Sequence, residues 1–164
     1  VNTKKRTTSL AALFASLLLV LTGCGAVTIP SDPNGTLEEI TGGTLRVGVT
    51  EFEPWVQLEP GQEPQGIEPD LVREFADARD AGIEWVQGAE HELAEQMKHD
   101  KLDIIIGGIA SDTPWMKHAG VTKPYVETVD PRGKTVKHVM LVPLGENRFL
   151  LTLDKFLQSQ RVNL

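Results

Sequence analysis

The chain has a single cysteine, Cys24, in 164 residues, so no disulfide can form within it. It has no apolar run long enough to span a bilayer. The longest, Leu10–Leu21, holds 12 residues, and a spanning helix needs roughly 20. Positive charge is scarce: 16 Lys and Arg stand against 23 Asp and Glu, a formal charge of −7. A nucleic-acid partner is therefore not expected, because phosphate binding asks for a basic face. Metal-ligand spacing is also lacking, since His91, His99, His118 and His138 are scattered. His91-Glu92-Leu93-Ala94-Glu95 has glutamate where a zinc-protease helix needs its second histidine. Gly107-Gly108 is not followed by the Lys-Ser/Thr of a phosphate loop. Ser111 has neither a nucleophile-elbow context nor a paired histidine. There is no internal repeat. No metal, cofactor or catalytic nucleophile is implied.

What is present begins with a basic start, Lys4-Lys5-Arg6, followed by the 12-residue apolar run and Leu21-Thr22-Gly23-Cys24. That order is a secretory signal. The small residues ending at cysteine resemble the lipobox of bacterial lipoproteins. The resemblance implies cleavage before Cys24, diacylglycerol on its thiol and acylation of the new amino end. Two or more chains hold a protein on a membrane where one does not. The expectation is a signal peptide over 1–23 and an extracytoplasmic, lipid-anchored mature chain. Residues 1–23 carry three positive charges and no negative ones, so the remainder has a charge of −10. Residues 24–43 are rich in Gly, Pro, Ser, Thr and Asp and show no sustained period, which predicts a flexible tether. About 120 residues are left, enough for one core and not two.

Over residues 44–160 the pattern alternates strand and helix. Leu45–Val49 reads as a strand, and Asp70 caps a helix running to about Arg79. Ile83–Val86 is a second strand and Glu90–His99 a second helix. Leu102–Gly108 is the most apolar segment, as expected of a strand covered on both faces. Thr113-Pro114 opens a short third helix. Tyr125–Val129 and Lys137–Val142 flank a turn at Asp130–Lys134, with Val126–Val129 expected to pair with Val136–Val139. The last helix spans Asn147 to Gln158, with the stripe Phe149, Leu150, Leu153, Phe156 and Leu157 facing the sheet. This is an α/β chain with a mainly parallel sheet flanked by helices. Ligands of such sheets bind beyond the carboxyl ends of the strands. Those ends are Thr50–Glu53, Gln87–Glu90 and Gly108–Thr113.

The same residues carry a family resemblance. Gly43–Val49, Pro54-Trp55, Gly66-Ile67-Glu68-Pro69-Asp70-Leu71, Lys101–Gly108, Thr113-Pro114 and Thr122–Tyr125 follow one another as in bacterial extracellular solute-binding proteins of the amino-acid-binding class, family 3. The resemblance implies a type 2 periplasmic-binding-protein-like fold that closes on a small solute and hands it to an ABC importer. Two departures stand out. The family builds a second lobe after the Pro-Tyr motif, whereas here a return strand begins within about a dozen residues of Tyr125. A single lobe is therefore expected, and a second copy or another subunit would have to supply the other wall. The family also has a Thr-x-x-Arg whose arginine forks onto an amino-acid carboxylate. The matching positions here are Asp112 and Trp115.

The expected ligand-binding residues are Glu51, Phe52, Glu53, Trp55, Glu90, Gly108, Ala110, Asp112 and Trp115. Glu51, Glu53, Glu90 and Asp112 would favour a cationic or neutral polar solute, with Trp55 or Trp115 offering an aromatic face. The expected partners are that solute, an ABC permease and the membrane. Two rival readings are a structural or signalling lipoprotein that has lost its ligand, and a dehydratase-like enzyme on the same fold. The second rests on fold analogy alone.

Overall fold

The structure is a computed structural model that describes residues 31–162. The segment expected to be a signal peptide, residues 1–23, and Cys24 lie outside the described residues. The elements are α1 (Thr36–Ile40), β1 (Thr44–Val49), α2 (Ile67–Asp77), β2 (Gly82–Gln87), α3 (Glu90–Lys98), β3 (Ile104–Ile106), a 3-10 turn (Pro114–Lys117), β4 (Ala119–Val121), β5 (Val126–Val129), β6 (Thr135–His138), β7 (Leu141–Pro143) and α4 (Asn147–Ser159). The main sheet has the order β2-β1-β3-β7-β4. Strand β1 is parallel to β2 and β3, and β7 runs antiparallel to both β3 and β4. Four of the five strands thus share one direction, and their carboxyl ends open on one edge.

Pleating explains how the apolar strands serve two layers. Leu45, Val47, Val49, Ile104 and Ile106 face α2 and α4, where Val72, Phe75, Phe149, Leu153 and Leu157 complete the larger core. Ile105 points to the other face and packs with Leu93, Met97 and Leu102. Gly48 sits over this second layer because the helix comes close: a Cβ there would meet Leu102 at 2.9 Å. The α4 stripe packs as its period requires. Phe149, Leu153 and Leu157 are buried, with Leu150 and Phe156 half-buried against the same core. Asp103, the first residue after Leu102, accepts from the Arg46 backbone and guanidinium, so it fastens β1 to the entry of β3.

Several sequence expectations need correction. The tether predicted through Gly43 ends earlier, because residues 32–43 pack on the lobe. Ile40 is buried, the Asp32 carboxylate accepts from the Phe149 amide, and Glu146 accepts from the amides of Asn34 and Thr36. Gly, Pro and Ser punctuate this segment, but long-range capping at the start of α4 orders it. Asp70 does not cap α2. The helix starts at Ile67, preceded by Gly66 at φ +115, and Asp70 lies in its first turn. The segment read as one strand over Lys137–Val142 is broken into β6 and β7, since it serves two sheets. The hairpin does form, but its register is Val126 with His138 and Val129 with Thr135, so β6 ends one residue earlier than expected.

Candidate functional site

The three loops expected to converge do meet at the carboxyl edge. A compartment of about 320 Å³ is lined by Phe52 after β1, Glu90 at the start of α3, and Gly107, Gly108, Ala110, Asp112 and Thr113 after β3. A second compartment of about 520 Å³ adjoins it, sharing Phe52, Gly108 and Ala110. Its other walls are Glu53, Pro54 and Trp55 on one side and the β5–β6 hairpin, through Thr128, Val129, Asp130, Pro131, Val136 and His138, on the other. Among the described residues no cluster of three His, Cys, Asp or Glu could hold a metal ion.

The turn between β3 and this site is held from below by Glu68. Its side chain is wholly buried in the first turn of α2. One carboxylate oxygen accepts from the amides of Gly107 at 2.7 Å and Gly108 at 2.9 Å. The other is hydrogen-bonded to the Tyr125 hydroxyl. Burial pushes the Glu68 carboxyl up, against the pull of these donors. Burial and the neighbouring Glu68 push the Tyr125 hydroxyl up as well. Gly108 has φ +64, and a Cβ there would meet Phe52 and Trp55 within 2.5 Å, so only glycine lets the aromatic loop lie against it.

His138 holds the same turn from the hairpin side. Its Nδ1 lies 3.1 Å from the Gly108 carbonyl, which can only accept, so Nδ1 carries the proton. Nε2 lies 2.8 Å from the Thr128 hydroxyl. The ring stacks on Trp55 with centroids 4.0 Å apart. Burial pushes the histidine down, partly offset by the Gly108 carbonyl.

The expected site residues divide accordingly. Phe52, Glu90, Gly108, Ala110 and Asp112 line the smaller compartment, and Glu53 and Trp55 the larger. Glu51 is exposed and lines neither. Trp115 is half-buried against the second core layer, so it does not offer a face to the cleft. Trp55 is 3% exposed and covered by His138, which leaves exposed Phe52 as the aromatic rim of both compartments. The acidic edge is not uncompensated either. Lys134 from the hairpin turn approaches Asp112 at 3.1 Å and holds its carboxyl below the usual range. Sequence reading missed Glu68, Thr128 and His138 as site supports, Val129 and Val136 as walls, and Lys134 as the partner of Asp112. Glu68 lies within a quoted motif, but nothing in its spacing signals burial. The hairpin residues are distant from Gly108 in sequence and meet it only in the fold.

Residues 45–163 match the bacterial extracellular solute-binding proteins, family 3. The chain belongs to that family. No curated protein matches it. Among solved structures, the arginine-bound form of domain 1 from TmArgBP is similar with a TM-score of 0.66 at 21% identity, covering 75% of this chain and 98% of that one. An ancestral cationic amino acid solute-binding protein is similar at 0.66 and 14% identity, covering 75% and 92%. An ancestral cyclohexadienyl dehydratase is similar at 0.65 and 15% identity, covering 79% and 91%. These likenesses show the fold: one α/β lobe of the periplasmic-binding-protein type. No described helix of this family member is long and apolar enough to cross a membrane.

Proposed function

We propose that the protein is a membrane-tethered, extracytoplasmic binding protein that captures a small polar or cationic solute at the carboxyl edge of its sheet. It delivers that solute to an ABC-type importer and catalyses no reaction. The observation that carries the charge preference is the smaller compartment, whose charged lining residues, Glu90 and Asp112, are both acids. Lys134 is a weak competitor for Asp112, because both side chains are largely exposed and solvent screens the pair. An incoming ammonium or guanidinium takes over the same oxygen. The arginine bound by domain 1 from TmArgBP makes arginine the first solute to try. A single lobe leaves its ligand half open, so the dissociation constant should fall at ~10 µM to mM. A second copy or another subunit covering the edge would tighten it.

Calorimetry of arginine, polyamines and quaternary amines against glutamate tests this reading. Asp112→Asn should weaken a cation severalfold and leave an anion unchanged. A clear preference for glutamate would refute the charge argument. No ligand at all, even with partner proteins present, would favour a structural or signalling lipoprotein. The tether rests on Leu21–Cys24: Cys24→Ser should release the protein from the membrane fraction or block its processing, and unchanged attachment would sink the idea.

A further inference from the structure

The two compartments at the carboxyl edge differ in chemistry and are joined. The smaller presents the carboxylates of Glu90 and Asp112. The larger presents mostly apolar walls from Pro54, Val129, Pro131 and Val136, with Thr128 and His138 between them. Phe52, 53% exposed, stands at the boundary and belongs to both, as do Gly108 and Ala110. Val129 is 69% exposed on the hairpin side of the same space. The acids on the larger compartment, Glu53 and Asp130, are of the same sign as those of the smaller. Lys134 and Lys137 line instead the outer groove beyond Asp112, each already paired with an acid.

From this division we infer that the site takes an amphipathic amine: a primary ammonium held by Glu90 and Asp112, carrying an aryl or branched apolar arm that lies between Phe52 and the hairpin at Val136. The inference rests on the cation reading of the same cleft and names the part of the ligand that reading leaves open. A compact cation or a polyamine fills only the acidic compartment and leaves Val129 and Val136 uncovered. An apolar arm removes that surface from water, which favours its binding. A carboxylate at the far end of the arm would sit near Glu53 and Asp130 and be repelled. The hairpin does not merely close the chain where a second lobe would emerge. It supplies the wall that selects the arm.

Isothermal titration with 2-phenylethylamine, ethylamine, putrescine, arginine and phenylacetate tests the assignment on the full chain. Phenylethylamine should bind at least tenfold tighter than ethylamine and putrescine, and phenylacetate should not bind. Val136→Thr keeps the shape of the side chain and places a hydroxyl in the apolar wall. It should weaken phenylethylamine severalfold and leave ethylamine unchanged, while Glu90→Gln should weaken both. Circular dichroism of each variant checks that the lobe is folded. If arginine or putrescine binds and phenylethylamine binds no tighter, the apolar arm is wrong and the cation reading stands. If none of the amines binds, both readings fall. A concentration-dependent dimer whose formation Val129→Asp abolishes, with no amine effect, would show that a second copy covers the apolar wall and would overturn the assignment.

Discussion

Glu68 is an ionisable group wholly inside the lobe, and its role follows from what it satisfies. Three donors, the amides of Gly107 and Gly108 and the Tyr125 hydroxyl, have it as their partner. Glu68→Ala leaves them buried and unpaired, which should cost about 3 kcal/mol, measured as a shift in urea unfolding. Glu68→Gln keeps an acceptor and should cost less. The pH dependence has a defined sign. Burial raises the folded carboxyl above its ordinary 4.5, so above that pH the folded chain keeps a proton that the unfolded chain has released. Stability relative to Glu68→Gln is therefore greatest below about 4.5 and declines as pH rises through the folded value. His138 behaves oppositely. Burial lowers its folded value below 6.5, so its contribution is full above 6.5 and is lost as pH falls toward the folded value. Unfolding measured from pH 7.5 down to 5.5 should show that loss, and His138→Phe should flatten it even if the variant is weaker throughout.

Helix α4 is the element on which the larger core depends. Leu153, 1% exposed, faces the sheet between Phe149 and Leu157. Leu153→Asp buries an unpaired carboxylate there and should unfold the lobe, seen as loss of the cooperative thermal transition. Helix α1 depends on α4 in turn. Its five residues are too few to be stable alone. They are held by Ile40 in the core and by Glu146, which accepts from the amides of Asn34 and Thr36. Glu146→Ala should therefore lower stability by about 2 kcal/mol, and amide exchange should accelerate across 34–40. No change in exchange there would restore the view of this stretch as a free tether. The β5–β6 hairpin closes through Gly133 at φ +81, and a Cβ there meets nothing. Gly133→Ala should cost about 1 kcal/mol from backbone strain alone.

At the scale of the whole molecule, one lobe carries one wall of a cleft. Where the family sends the chain into a second lobe, the hairpin instead turns back after four residues of β5 and returns through β6. The segment after β3 then bonds to this hairpin: the Ser111 amide donates to the Lys137 carbonyl, and the Val139 amide donates to that of Ile109. The hairpin is thus fastened to the lobe, and among the described residues no hinge separates the two. Binding should accordingly leave the radius of gyration in small-angle scattering unchanged. An increase on adding arginine or phenylethylamine would mean that a second wall is recruited by association of two chains.

Much of this was legible beforehand, because periodic burial leaves a periodic sequence. The α/β order, Leu45–Val49 as a strand, the apolar Ile104–Ile106 and the α4 stripe all state locally which face must avoid water. The carboxyl-edge position of Phe52, Glu90, Gly108, Ala110 and Asp112 followed from strand direction, a property of the α/β order. What the sequence could not state is which polar groups pair across distance. Glu68 with Gly107 and Tyr125, His138 with Gly108 and Thr128, Lys134 with Asp112, and Glu146 with Thr36 join residues far apart or across a turn, and none of these pairs leaves a repeat in the sequence. For the same reason composition misjudged residues 32–43 as a tether, and Trp55 and Trp115 as free aromatic faces. The sequence alone determined the lobe and the edge on which the three candidate loops converge. Tertiary structure decided the site's walls, its buried supports and its counter-charge, because those depend on contacts that exist only once the chain has closed on itself.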